Sequence, residues 1–226
     1  MNRMMRNWKI LIYAVVLGTM TSCGELFEVN EEAQANPVVT LSDHSIDLMV
    51  GVRYQLQATI TPETLKDAAL YWASDDKDIV KFEDGVAVAV APGTTDLRVS
   101  VVNTTSEDVC HVTVHPRWMD FDPTQFLYDM VVFADVSVNN HPLADGDAVG
   151  AFSADGDLRG VGQMLKTTAG KDYMMLRIYS NELSEEDIQL RCFDAARAKV
   201  IRAQQTITFY SDETYPSSGL MDLKFD

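Results

Sequence analysis

Arg53-Tyr54-Gln55-Leu56-Gln57-Ala58-Thr59-Ile60 alternates polar and apolar residues without a break. A two-residue period puts Tyr54, Leu56, Ala58 and Ile60 on one face of an extended strand and the polar side chains on the other. A helix would scatter these residues around its circumference. The same alternation recurs in short runs along residues 38–225, separated by Gly, Pro, Asn and Asp, while helical periodicity is nearly absent. That pattern predicts an all-β protein built from sandwiches or barrels.

Working outward, the neighbouring strands are predicted at 38–41, 45–49, 69–73, 79–82, 86–90, 96–102 and 109–114, with 53–60 as one strand. Asp84-Gly85 and Pro92-Gly93 supply tight turns. Pro116 ends the last of these strands and holds His115 extended. Residues 37–116 therefore form a first module, and so short a linker as His115-Pro116-Arg117 predicts that it touches its C-terminal neighbour. In that neighbour, strands are predicted at 130–138, 148–152, 158–164, 173–179, 188–193, 205–209 and 220–225. Asn139-Asn140-His141-Pro142 reads as a turn, and Ser184-Glu185-Glu186-Asp187 as a short helix cap. Residues 117–226 thus make a second β-sandwich-like module.

Ordered motifs in the first module carry a resemblance. They are Val50-Gly51-Val52-Arg53-Tyr54-Gln55-Leu56, Ala58-Thr59-Ile60-Thr61-Pro62, Tyr71-Trp72-Ala73-Ser74-Asp75-Asp76, Ala91-Pro92-Gly93-Thr94 and Cys110-His111-Val112-Thr113-Val114. Together they resemble the bacterial Ig-like group 2 domain. The resemblance implies an Ig-like β-sandwich of the kind found in bacterial surface proteins and adhesins, where many copies serve as spacers. In the second module, Tyr128-Asp129-Met130-Val131-Val132, Gly150-Ala151-Phe152, Leu158-Arg159-Gly160-Val161-Gly162, Met175-Leu176-Arg177-Ile178-Tyr179 and Cys192-Phe193-Asp194-Ala195 resemble a C-terminal β-rich module recurrent in Gram-negative surface proteins. That resemblance brings no assigned active site.

The N-terminal region has the parts of a secretory signal. Arg3, Arg6 and Lys9 precede the apolar run 10–18, and small or polar residues come after it. The run is too short to span a bilayer core of ~30 Å as a finished helix. Met20-Thr21-Ser22-Cys23 resembles a lipobox. This predicts a lipoprotein signal peptide over residues 1–22 and lipidation, palmitate included, at Cys23, which would tie the chain to a membrane. More than one acyl chain makes such anchoring stable. Residues 23–36 carry Glu25, Glu28, Glu31 and Glu32 and no clear period, and they read as an acidic tether.

The chain holds 18 Lys+Arg against 34 Asp+Glu, a net charge of −16. Loss of residues 1–22 removes three bases and no acid, leaving −19. A surface this acidic repels phosphate backbones and anionic headgroups, which argues against nucleic acid and peripheral membrane contact. Neutral glycan, protein and cation remain as partners. Asp145-Gly146-Asp147 and Asp155-Gly156-Asp157 are the metal candidates, since paired carboxylates suit Ca²⁺. Each is equally an ordinary Asp-Gly turn, and the EF-hand order is missing. His44, His111, His115 and His141 fall into no zinc motif. Ser74 lacks a nucleophile elbow, and Cys110 and Cys192, in apolar runs, lack a paired base. The two cysteines read as free buried thiols or as one bridge between the modules. Trp72 reads as core or as a glycan platform. Arg159, amid apolar residues, reads as an ion-pair partner for Asp194 or as a ligand-binding arginine.

No catalytic motif and no cofactor signature emerges. The expectation is a non-enzymatic outer-membrane lipoprotein exposed at the cell surface, with an adhesion or spacer module and a C-terminal binding domain. The alternative is an accessory glycan-binding lipoprotein of a polysaccharide uptake system. Two or three coplanar rings on one outer face, such as Tyr173, Tyr179, Tyr210 or Trp118, would favour that alternative.

Overall fold

The computed structural model describes residues 36–83 and 86–226. Residues 1–35, with the predicted signal, Cys23 and most of the tether, and the Asp84-Gly85 turn lie outside the described residues. The described part is all-β. Its only helical pieces are three 3-10 turns, Glu63–Leu65, Trp118–Asp120 and Pro123–Gln125. No described helix is long and apolar enough to cross a membrane.

The N-terminal half is an Ig-like sandwich. One sheet runs β2 (Ser45–Met49), β9 (Glu107–His115), β8 (Gly93–Val101), β5 (Leu70–Ser74). The facing sheet runs β3 (Arg53–Tyr54), β7 (Val86–Ala89), β6 (Val80–Glu83), and β1 (Val38–Leu41) pairs with β4 (Ala58–Thr61) beside it. β2 lies parallel to β9, whereas the other pairs are antiparallel. Alternation decides which side chains meet: Leu97, Val99 and Val101 from β8 join Cys110, Val112 and Val114 from β9 in one apolar core.

The predicted strand 53–60 divides in two. Tyr54 pairs with Ala87 on β7, whereas Ala58 pairs with Leu41 on β1. The alternation itself survives, because Leu56 and Ile60 are both buried. The hydrogen-bond partners change because the chain crosses from one sheet edge to the other at residues 55–57.

The C-terminal half is a folded-over sheet. Its strands run β11 (His141–Pro142), β10 (Tyr128–Val138), β14 (Asp172–Ser180), β13 (Leu158–Lys166), β12 (Ala148–Phe152), β15 (Ser184–Asp194), β16 (Lys199–Tyr210). β17 (Thr214–Tyr215) and β18 (Met221–Phe225) both lie parallel to β10. The sheet turns its corner within β13. Gly160 and Val161 pair with β12, while Gly162 through Lys166 pair with β14. Strands that switch sheets make such corners, and glycine permits the close approach there. A Cβ on Gly160 would lie 2.0 Å from the Arg177 carbonyl oxygen. The enclosed core includes Met130, Leu176, Leu190, Phe209 and Phe225.

Two local expectations are corrected. Residues 184–187 do not cap a helix, because β15 already begins at Ser184, opposite Tyr210. Asp187, at φ 59°, forms the bulge that shifts register between Glu185 and Ile188. Only Asn139-Asn140 form the turn after β10, both with positive φ, and His141–Pro142 continue as a short strand.

Candidate functional site

A third apolar cluster joins the halves. Met49 from β2, Trp118 from the linker turn, and Phe152 and Phe193 from β12 and β15 are all buried in it. Trp118 is 3 % exposed and meets Phe152 edge-on, with ring centroids 5.2 Å apart. Edge-to-face geometry suits the ring quadrupoles. Residues 36–226 accordingly form one compact unit.

Polar bonds fix the same junction. One edge of β2 pairs with β9, and the other receives the β15–β16 hairpin. The Asp47 N–H donates to the Ala198 carbonyl at 2.7 Å. The Asp47 carboxylate accepts from the Val200 N–H at 3.2 Å and meets His115 Nε2 at 2.9 Å. Lys199 Nζ donates to the Ser45 carbonyl. The hairpin is itself held by Asp194, which accepts from Arg197 N at 3.0 Å and Nη1 at 2.8 Å.

Burial alone would raise the Asp47 carboxyl. The hydrogen bonds from His115 and Val200, with the charges of His115 and Lys199, outweigh it and hold the group below the usual carboxylate range. A depressed folded value contributes stability that is present above the unfolded pKa, about 3.9, and lost as pH falls through the folded value. Acid titration of wild type should therefore show a steeper loss of melting temperature below about pH 4 than Asp47→Asn shows. Equal acid sensitivity in both proteins would rule out Asp47 as its source.

Of the metal candidates, Asp147 has its carboxylate occupied. Asp147 bonds through its carboxylate to Ala144 N at 2.8 Å and Ala195 N at 2.9 Å, so it braces two turns. Asp157 closes a turn on Ser153 through its backbone. Gly146 and Gly156 hold φ of +92° and +93° at the centres of the Asp-Gly turns with Asp145 and Asp155. No three His, Cys, Asp or Glu side chains among the described residues converge as metal ligands.

Arg159 does not pair with Asp194. It reaches Glu185 Oε1 at 3.5 Å and lies 5.3 Å over the Phe126 ring. Asp194 is spent on its own hairpin, one short turn from Arg197, which explains the different partner. Cys110 and Cys192 are free, each buried in a different module's core, and no bridge joins them. Burial pushes their thiols up to about 11 and about 12, so neither is a ready nucleophile. Trp72 is only half-buried. It packs against the first core and stacks on Phe82 with centroids 4.8 Å apart.

Of the four candidate rings, Tyr173 and Tyr179 share the outer face of β14, and the other two lie elsewhere. Trp118 is buried at the junction, Tyr210 is exposed at the end of β16, and Tyr173 leans on Phe133 at 6.0 Å. Tyr179 alone joins a ring group, with Phe121 at 5.7 Å and Phe126 at 6.3 Å. Tyr179, Phe121 and an edge of Trp118 border a groove of about 280 Å³ over the outer face of β13 and β14, where Gln163 and Arg177 add polar groups. Sequence reasoning missed Phe121 and Phe126, which sit in the segment before β10 that has no periodicity.

No protein-family model matches the chain. No curated protein matches it. Among solved structures, domains 4–9 of the surface-layer protein SbsC align at a TM-score of 0.31 and 13 % identity, over 80 % of this chain and 32 % of that one. Domains 5–6 of the S-layer protein SbsC align at 0.29 and 12 %, over 78 % and 100 %. Bovine butyrophilin aligns at 0.27 and 11 %, over 76 % and 99 %. This chain thus spans about a third of the SbsC domains 4–9 fragment. At such TM-scores none of these alignments adds to the fold, which rests on the strand pairing described above.

Proposed function

We propose that the chain is a non-enzymatic cell-surface lipoprotein, held to the outer membrane by lipid on Cys23, in which a bacterial Ig-like module acts as a stiff spacer for a C-terminal contact module. The observation that carries this reading is the leader: a basic flank, a short apolar run and Met20-Thr21-Ser22 immediately before Cys23. The junction supports the spacer role. Buried Trp118, the β2–hairpin hydrogen bonds and the two-point Asp47 carboxylate resist bending between the halves. A free linker would let the outer module swing, whereas a locked one holds it at a set distance from the bilayer.

Fractionation tests the anchor. Wild type should partition into the detergent phase and the membrane pellet, and Cys23→Ser should lose that partitioning while keeping its β-sheet spectrum. Membrane retention of Cys23→Ser equal to wild type would remove lipid on Cys23 from the proposal.

A further inference from the structure

Most of the arginines among the described residues hold carboxylates. Arg98, Arg117, Arg159, Arg177 and Arg197 each do so. Arg191 and Arg202 do not. They are direct cross-strand partners in the β15–β16 ladder, on the face of the sheet that also carries Phe152 and Phe193. Among the described residues neither forms an ion pair, although the whole chain has nearly two acids for every base. Like charges placed directly opposite each other destabilise a sheet. Two arginines at directly opposite ladder positions, neither with an anion, thus leave an electrostatic demand unmet.

Arg191 is also pre-positioned. Its guanidinium lies 4.3 Å over the Phe152 ring, beside the apolar junction, and Nη2 donates to Gln189 Oε1 at 3.3 Å. Its Nε is buried with no acceptor. The Asp155-Gly156-Asp157 turn comes close, since a Cβ on Gly156 would stand 3.8 Å from Arg191 Nη2, yet neither carboxylate pairs with it. Burial, and then the Arg202 charge, lower the Arg191 pKa, as expected of a cation lacking a counter-charge.

We propose that Arg191 and Arg202 form a carboxylate-binding fork for a uronic-acid residue of an acidic glycan. Planar guanidinium matches carboxylate through paired N–H donors, and two adjacent forks favour one oxyanion strongly. An acidic protein partner fits less well. A stable protein interface covers about 800 Å² per side and would press negative surface against the remaining acids. A single sugar carboxylate is small enough to meet the arginines with only the Asp155-Gly156-Asp157 turn close by, and charges beyond a Debye length of about 8 Å are screened. The net charge that excludes anionic polymers in general thus leaves room for this local exception. The proposal deepens the contact role of the C-terminal module and is independent of the lipid anchor.

The test is calorimetric titration of the full chain with trigalacturonate, with neutral galactotriose and a poly-glutamate peptide as parallel arms. Trigalacturonate should bind, weaken as salt is raised, and lose about tenfold or more in affinity in both Arg191→Gln and Arg202→Gln. Arg202 is exposed, so Arg202→Gln should melt no lower than wild type, which keeps loss of binding distinct from loss of fold. Galactotriose should not bind. No trigalacturonate binding at ~1 mM, or binding indifferent to both substitutions, would overturn the proposal. Tighter, arginine-dependent binding of poly-glutamate would overturn it in favour of a protein partner. Failure here with Cys23 still lipidated would leave the surface-lipoprotein reading intact.

Discussion

Gly160→Ala should cost at least about 3 kcal/mol of folding stability and leave little native protein at 37 °C. The added methyl would sit 2.0 Å from the backbone oxygen of Arg177, far inside van der Waals contact. Backbone on the neighbouring strand cannot rotate away as a side chain can. Relief requires β13 to separate from β14 at the corner that closes the second core. Gly162→Ala is the internal control. Its Cβ would meet Met174 Sδ at 2.4 Å, the end of a flexible side chain that can move. Denaturant unfolding of both variants checks the ranking. Equal stability of Gly160→Ala and wild type would mean that β13 does not turn the sheet as described.

Trp118→Ala should be the second severe change, at about 3–5 kcal/mol, the range for emptying a buried aromatic site. The loss falls at the junction rather than inside either sandwich. Trp118 meets Phe152, and a Cβ on Gly150 would stand 3.2 Å from its ring. Wild type should unfold in one calorimetric transition because the halves are coupled. Trp118→Ala should split it into two, one for each core. A single transition in the variant, shifted by less than about 1 °C, would show that the ring does not couple the modules. A Met119→Ala control should change little, since that side chain is 76 % exposed.

The sequence reveals most of the strands, because inward and outward residues alternate without ambiguity. β1, β2 and β12 fall on the residues expected from pattern alone. Pairing is what pattern cannot reveal. Residues 53–60 keep one alternation while serving two sheets, since burial has a period and hydrogen-bond partnership has none. The first half of β16 escapes a reading by pattern because Arg202 and Gln204 look like loop residues, yet most of β16 pairs with β15. The helix-cap reading at Ser184 fails because Ser-x-x-Asp is a local signal, and the adjacent ladder overrides it.

The junction is half legible. A three-residue linker implies contact, but nothing near Asp47 or Ala198 signals that a hairpin about 150 residues downstream docks on β2. Such long-range polar bonds leave no periodic trace. The metal candidates show the converse. Asp147 stands out in the sequence by its charge, and its carboxylate is occupied by two backbone N–H groups. The Arg191–Arg202 pair stays hidden because the two residues are cross-strand neighbours only in the folded ladder.

Mass spectrometry of the chain isolated from its native membrane tests the lipoprotein reading most directly. The expected species begins at Cys23 and carries the added mass of a diacylglyceryl group with a further acyl chain on its amino group. A chain that still begins at Met1, or a Cys23 thiol bearing no lipid, would contradict it.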